Sequence, residues 1–309
     1  MYKVSIIVIM YNASKYIEKC ASTLFEQTLE SIEYIFVNDK STDNTVDLLN
    51  DIISRYPHRK SDVKIINLPQ NSGQAIARST GILHASGEYI IHCDCDDWVD
   101  TKMYEILYNK AKQDDLDCVT CNFYESDGEN YRVQSIPSCA NLFEAILSGD
   151  IHAALWNKLY KSSLFCRSRF IPPKGNMGED FIINLQFSYN VKRVAHIDTP
   201  LYYYYYNATS ITRDPNIKRV LSRFEQSVLN IAPLKEFLIK NNLFKKHYYQ
   251  YISIVAIKRE ILSKYIHIPD IYRIWKNTHR EINKYLLISP KIKLKRKIRF
   301  VLNLCRIPY

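Results

Sequence analysis

Apolar positions in the first two hundred residues alternate between continuous runs and helical stripes. Residues 4–10, VSIIVIM, form a β-branched run suited to a central parallel strand covered on both faces. Tyr11-Asn12 ends that run. Ser14 can then cap a helix reaching about residue 28, with Ile17, Ala21, Leu24 and Phe25 on one stripe. A second strand over 32–38 ends at Asp39, and Ser41 or Thr42 caps a helix whose apolar face includes Val46, Leu49 and Ile53. A third strand covers 63–68, and a short helix over 74–84 follows the turn at Asn71-Ser72-Gly73. The fourth strand, from Glu88 to Cys93, runs straight into Asp94, Asp96 and Asp97. Four strand–helix alternations argue a three-layer α/β sheet, in which ligands bind beyond the carboxyl ends of the strands. Tyr11, Asp39 and Asp94 all fall at those ends.

The pattern continues with a helix over 101–113, a strand over 116–124, an irregular polar excursion over 125–138 and a short helix over 142–147. A short ordered element at 156–160 enters a loop holding Pro172, Pro173, Gly175 and Gly178. Glu179-Asp180 opens the next helix, and a strand over 197–206 carries five consecutive tyrosines, Tyr202 to Tyr206. Beyond residues 212–216 the spacing is helical, over 220–238, 248–263 and 271–287. The expected organisation is an α/β domain over 1–212 and a small helical domain over 213–309.

The acidic end of the fourth strand makes no sense as packing alone. Unpaired buried carboxylates cost several kcal/mol each, so a compensating cation or donor is required. Asp94 and Asp96, two apart, share one side of an ideal strand and can approach one ion. Hard cations such as Mg²⁺ or Mn²⁺ suit such oxygen ligands. An acidic turn capping the next helix through Asp97 or Asp100 is the structural alternative.

The other candidates carry similar pairs of readings. Asp39 can accept a hydrogen bond from a base N–H or close a turn. Tyr11 can pack against a flat base or shield the sheet end. Arg78 can meet a diphosphate or pair with Asp39. Acids at a helix start, such as Glu179 and Asp180, are favoured by the helix dipole, yet either can serve as a positioned general base. Trp156 offers a sugar-stacking face or an ordinary core ring.

Composition adjusts this picture in three places. The chain has 309 residues, 47% of them apolar, with 24 Tyr and a formal charge of +10. No acid follows Glu281, whereas Lys284, Lys291, Lys293, Lys295, Arg296, Lys297, Arg299 and Arg306 do. On helical spacing Leu294, Ile298, Val301, Leu302 and Cys305 form an apolar stripe among those cations, resembling an interfacial helix drawn to anionic lipid. A basic helix packed on its own domain is the alternative. Eight cysteines include Cys118 and Cys121 without a second pair at zinc-finger spacing, so buried thiols in a reducing compartment are expected. The opening run is too short for a signal peptide, and no window reaches the length of a membrane span, so a soluble or peripheral protein is expected. The basic residues lack a compact basic-aromatic motif, which argues against a nucleic-acid partner.

Several separated motifs agree in order with one family. Val4 to Asn12, Glu33 to Asp43, Asn71-x-Gly73-Gln74-Ala75-x-Ala77-Arg78, and Ala85-x-Gly87-Glu88-Tyr89-Ile90 leading to Asp94-x-Asp96-Asp97-Trp98 resemble the nucleotide-sugar-binding half of family 2 glycosyltransferases. Trp156 to Tyr160, Gly178-Glu179-Asp180 and Ser210-Ile211-Thr212 are similar to what that family shows downstream. The resemblance covers about residues 3 to 212. It departs at Ile9 for a usual Pro, Lys40 for a usual Gly and Ser79 for a usual Asn.

The resemblance implies a GT-A fold, with a donor half over about 1–100 and an acceptor half over about 101–212. It also implies inverting transfer of a hexosyl or N-acetylhexosaminyl group from a nucleoside-diphosphate sugar, UDP-linked in preference to GDP or TDP. Tyr11, Asp39 and Arg78 would lie at the nucleotide, Asp94 at the ribose and metal, and Asp96 would be the main ligand of Mn²⁺ or Mg²⁺. Asp180 matches the catalytic base, with Glu179 beside it, and Trp156 would meet the acceptor. The acceptor would be a glycan or lipid-linked glycan of capsule or other surface polysaccharide synthesis, in the cytoplasm or at the inner membrane face. The helical domain leaves room for a homo-oligomer. Two rival readings are an inactive nucleotide-sugar- or glycan-binding scaffold and a sugar nucleotidyltransferase. The latter lacks a glycine-rich, basic phosphate-binding opening after residue 10.

Overall fold

The computed structural model describes residues 1–165, 167–206, 214–290 and 292–308. Ser210-Ile211-Thr212, the expected domain boundary and Lys291 lie outside them. The chain divides into two compact units: residues 1–172 with 183–206, and residues 173–182 with the described residues from 214 onward.

In the first unit β1 (Val4–Met10) lies between two parallel neighbours and is almost wholly buried, as its unbroken apolar run requires. α1 (Ile17–Phe25) starts later than Ser14, because the Ser14 N–H donates to Asp43 instead of opening a helix. β2 (Ile32–Asn38) follows. α2 (Thr45–Arg55) also starts late, since Asp43 accepts from both the N–H and the hydroxyl of Thr45. β3 (Val63–Asn67), α3 (Gln74–His84) and β4 (Tyr89–Asp94) match the expected order.

The next strand is absent from the apolar pattern: β5 (Trp98–Val99) has only two residues. α4 (Met103–Gln113) leads to β6 (Cys118–Ser126). The polar excursion expected after it is instead a hairpin. Asp127 accepts from the N–H groups of Glu129 and Asn130, Gly128 turns at φ 104°, and β7 (Tyr131–Gln134) returns antiparallel to β6. α5 (Leu142–Ser148), β8 (Lys158–Lys161), α6 (Glu179–Ser188, whose first turn belongs to the second unit) and β9 (Val194–Tyr205) complete the region.

The sheet order is β3-β2-β1-β4-β8-β6-β9-β5, with β7 on β6. β3, β2, β1 and β4 run parallel, whereas β8 is antiparallel to both β4 and β6, and β9 is parallel to β6 but antiparallel to β5. Strand alternation divides the tyrosine run between two faces. Tyr202 and Tyr204 stack on Trp156, while Tyr203 and Tyr205 pack against Trp98.

In the second unit the single helix expected over 220–238 is broken into α7 (Ile217–Leu229) and α8 (Ile231–Lys240). Asn230 marks the break. Its Oδ1 accepts from the N–H groups of Lys174 and Gly175, and its Nδ2 donates to the carbonyls of Gly175 and Met177. α9 (Tyr248–Glu260), α10 (Pro269–Asn277), α11 (Asn283–Leu286) and α12 (Leu294–Leu304) follow. The stretch expected as one helix over 271–287 is thus two. No helix among the described residues is long and apolar enough to cross a membrane.

The turn before β4 is fixed by contact with β1 and β2. Gly87 N–H donates to Ser5 Oγ at 2.7 Å and Ser86 N–H to Glu33 Oε2 at 2.8 Å. A Cβ on Gly87 would lie 2.6 Å from the Ser5 nitrogen and 2.8 Å from the Val4 carbonyl carbon, backbone atoms with no room to retreat. Gly87→Ala is therefore expected to cost about 1–3 kcal/mol. Urea unfolding checks this: the midpoint should fall at constant m-value, and an unchanged midpoint would refute the close approach.

Candidate active site

Three neighbouring parallel strands place their carboxyl ends at one edge. Tyr11 directly follows β1, Asp39 directly follows β2, and Asp94 closes β4. β1 lies between the other two, so the group spans two strand spacings, roughly 10 Å. The expected gathering of Tyr11, Asp39 and Asp94 is what the sheet produces.

Asp39 is buried and holds a loop. Its Oδ1 accepts from Ser72 N–H and its Oδ2 from Gly73 N–H, both at 2.7 Å. Gly73, at φ 85°, then opens α3. That helix carries Arg78, whose buried guanidinium donates to Asp94 Oδ1 at 2.8 Å. Arg78 thus pairs with Asp94 and not with Asp39, whose oxygens already serve the loop. Tyr11 is 47% exposed at the edge.

The turn after β4 concentrates negative charge. Burial first, and then Asp94, push the Asp96 carboxyl up to about 6. Asp97 is buried too, and the loss of water together with Asp96 and Asp94 raises its carboxyl well above the usual range. Its partners are internal: Tyr202 Oη donates to Oδ2 at 2.6 Å and Tyr205 N–H donates to Oδ1 at 2.7 Å. Tyr202 Oη also accepts from Asp94 N–H at 3.0 Å. Asp97 therefore ties β9 to the turn. The cap of the following segment is Asp100, which accepts from Lys102 N–H. His92 lies buried behind the turn, and burial and then Arg78 hold it neutral, well below the usual histidine range.

Glu179 and Asp180 open α6 in the second unit. Glu179 is buried and Asp180 half-buried. Lys258 of α9 lies near Glu179, with Nζ 3.4 Å from Ser227 Oγ. Burial pushes its ammonium down to about 8, against the attraction of Glu179. The preceding loop, with Gly178 at φ 78°, is held by Asn230.

Trp156, expected against an acceptor, lies in the core. It is 4% exposed, stacks on Tyr202 with centroids 4.3 Å apart, and meets Phe123 edge-on at 4.7 Å. Its ring faces are used inside the core. Reasoning from sequence also missed Tyr202 and Lys258. Period-two reading of the tyrosine run would have set Tyr202 apart from Tyr203, whereas nothing local marks Lys258.

No group of three or more His, Cys, Asp or Glu among the described residues can hold a metal ion. What the edge offers is a pair, Asp94 and Asp96.

The fold is that of the GT-A glycosyltransferases, with a C-terminal helical subdomain. It aligns with Staphylococcus aureus TarS residues 1–349 in complex with UDP-GlcNAc at a TM-score of 0.60 and 16% identity, over 97% of this chain and 90% of that one. A mannosyltransferase, PcManGT from Pyrobaculum calidifontis in complex with GDP-Man and Mn²⁺, aligns at a TM-score of 0.52 and 14% identity, over 99% and 87%. In sequence, residues 5–174 match Glycosyl transferase family 2. The uncharacterized glycosyltransferase EpsJ of Bacillus subtilis (strain 168) is 30% identical over 311 residues, covering 97% of this chain and 83% of that protein. The chain belongs to glycosyl transferase family 2 and is a glycosyltransferase.

The Tyr202 hydroxyl serves two partners, so Tyr202→Phe removes a buried donor to a carboxylate and an acceptor for a backbone N–H. The expected cost is about 1–3 kcal/mol. Chemical unfolding measures it, and wild-type stability in this variant would show that the hydroxyl does not anchor the turn.

Proposed function

We propose that this chain transfers a sugar from a UDP-sugar to a hydroxyl of a glycan or lipid-linked glycan, with inversion at the anomeric carbon. The observation that carries the reading is the under-compensated acidic turn. Arg78 pairs with Asp94, but no ion pair among the described residues reaches Asp96, whose carboxyl is pushed up to about 6. A site of that charge fits a hard divalent cation, Mn²⁺ or Mg²⁺, held by one or two carboxylates and the donor diphosphate. Asp96 and Asp94 would hold it, and when bound it would offset charge on the departing diphosphate. That TarS was solved with UDP-GlcNAc and PcManGT with GDP-Man and Mn²⁺ supports this class of donor and cofactor.

Tyr11 and Asp39 would meet the base, and Arg78 the base or diphosphate. Asp180, with Glu179 beside it, would take the proton of the acceptor hydroxyl as that oxygen bonds to the anomeric carbon. The bond from that carbon to the diphosphate oxygen breaks in the same displacement, so the centre inverts without a covalent intermediate. Calorimetry with UDP, with and without Mn²⁺, tests the donor half: Asp96→Ala should lose Mn²⁺-dependent binding. Asp180→Asn should keep that binding while transfer falls by about 100-fold or more. Near-normal transfer in Asp180→Asn would remove it as the base. Tight UDP binding without transfer or donor hydrolysis in the wild type would make the chain a binding scaffold.

The C-terminal helix supports a place for the enzyme at the cytoplasmic face of a membrane. Part of its basic character is used internally, since Arg296 and Arg299 both pair with Glu260 of α9. Phe300 and Asn303 are buried on the same inward side, with Phe300 against Trp275. The outward side carries Leu294, Ile298, Val301 and Leu304, 41–71% exposed, with Lys293 and Lys295 also in water. Leu302, expected in this stripe, is half-buried. An apolar stripe turned to solvent among lysines suits an anionic lipid surface. Joint substitution of Leu294, Ile298 and Val301 by Ser should weaken binding to phosphatidylglycerol-containing vesicles by about tenfold or more. Equal sedimentation of the two proteins with those vesicles would count against a membrane role.

A further inference from the structure

A ring-lined groove lies next to the acidic turn along the chain, within the first unit. Lys19, Trp98, Asp100, Tyr124, Tyr131 and Tyr203 line a groove of about 520 Å³. Trp98, Tyr203 and Tyr124 occupy facing positions on β5, β9 and β6, so their rings form a ladder across the sheet. Trp98 and Tyr203 are stacked with centroids 5.6 Å apart, and Tyr203 and Tyr124 with centroids 4.9 Å apart. Tyr131 from the β7 hairpin stands across them, edge-on to Tyr203 at 5.7 Å and to Tyr124 at 6.0 Å. Lys19 Nζ sits over the Trp98 ring, 3.1 Å from its centroid.

Trp98 is buried, but the rings stacked beyond it are not a core. Tyr124 and Tyr203 are only half-buried, and Tyr131 is 50% exposed. Their counterparts on the other face, Trp156 and Tyr202, are buried. The groove therefore combines ring surface with three phenolic hydroxyls, an ammonium and a carboxylate. Binding sites have this composition: apolar surface for contact and a few polar groups for orientation. A lipid tail would leave the polar groups without partners. A polyanion would find one lysine and face Asp100.

We propose that this groove binds a saccharide, the portion of the acceptor glycan remote from the reacting hydroxyl. Sugar rings present C–H faces for the tyrosines and hydroxyls for the phenols, Lys19 and Asp100. The groove is continuous with the acidic turn along the chain: Trp98 directly follows Asp97, and Tyr203 directly follows Tyr202, whose hydroxyl binds Asp97. A glycan held here would be presented by the same two strands that shape the turn. The inference rests on the sugar-transfer reading for the class of occupant, and it moves the acceptor contact from Trp156 to a different set of rings.

Saturation-transfer NMR with cellotetraose, maltotetraose and chitotetraose as probes tests it on the full chain. At least one tetrasaccharide should bind, and Tyr131→Ala should weaken it by about fivefold or more, whereas Tyr131→Phe should retain most of the binding. Tyr131 is a surface residue, so loss of folding does not confuse the comparison, and thermal unfolding of the variant verifies this. Failure of all three probes to bind, or equal binding by Tyr131→Ala, would overturn the inference. UDP titration of the wild type reports separately on the donor site. UDP binding without saccharide binding removes the groove alone, and saccharide binding without UDP binding removes the donor reading alone.

Discussion

Three carboxylates within four positions lose water and repel one another at the end of β4, and much of the surrounding structure answers that cost. Each is treated differently. Arg78 neutralises Asp94 from α3. Tyr202 and the backbone of Tyr205 satisfy both oxygens of Asp97 from β9. Asp96 has only its own backbone N–H and the more distant Arg78 charge, which burial and Asp94 outweigh, pushing its carboxyl up to about 6. A carboxylate without an ion pair beside two that have close partners differs from a structural acidic turn, in which hydrogen bonds would absorb all the charge. The fold supplies a deficit of positive charge at one oxygen-rich place, at the sheet edge where Asp39 and Tyr11 also end their strands.

The compensation reaches far along the chain. Asp39 fixes residues 72 and 73, those residues open α3, and α3 carries Arg78 to Asp94. The carboxylate proposed to meet a nucleobase orders the support of the acidic turn. A residue can hold both duties, because a carboxylate oxygen accepts more than one hydrogen bond. Tyr202 shows the same economy, joining β9 to the turn with its hydroxyl while its ring packs on Trp156.

The parallel half of the sheet was legible because its elements are long, apolar and regularly spaced. The strands over residues 4–10 and 32–38 and the helix over 74–84 are found where the pattern predicts them. Helix starts were less legible, since Asp43 accepts from the N–H groups of Ser14 and Thr45, and the second helix begins after Ser41 and Thr42 instead of at them. β5 is too short to show a period, and β7 alternates without burying either face. At the site, Asp39, Asp94 and Asp96 could be named from their strand ends. The partners that decide their charge state come from residues 78 and 202, far away in sequence, and no local pattern encodes which acid receives which partner. Trp156 was illegible for the same reason: whether its ring faces water or core is decided by Tyr202 and Tyr204 of β9, far along the chain.

Asn230 has a consequence of another kind. Its amide makes four hydrogen bonds to the backbone of residues 174–177, replacing the pairing a neighbouring strand would give. The loop ahead of Glu179 and Asp180 is thereby splinted to the corner between α7 and α8. A segment with two prolines and two glycines, which would otherwise sample many shapes, is held chiefly by that side chain, with Gln226 Oε1 accepting from the Asn176 N–H beside it. Its outline can then be recast by inheritance from outside, since a change at that corner loosens four of its backbone groups without a change in any of its own residues.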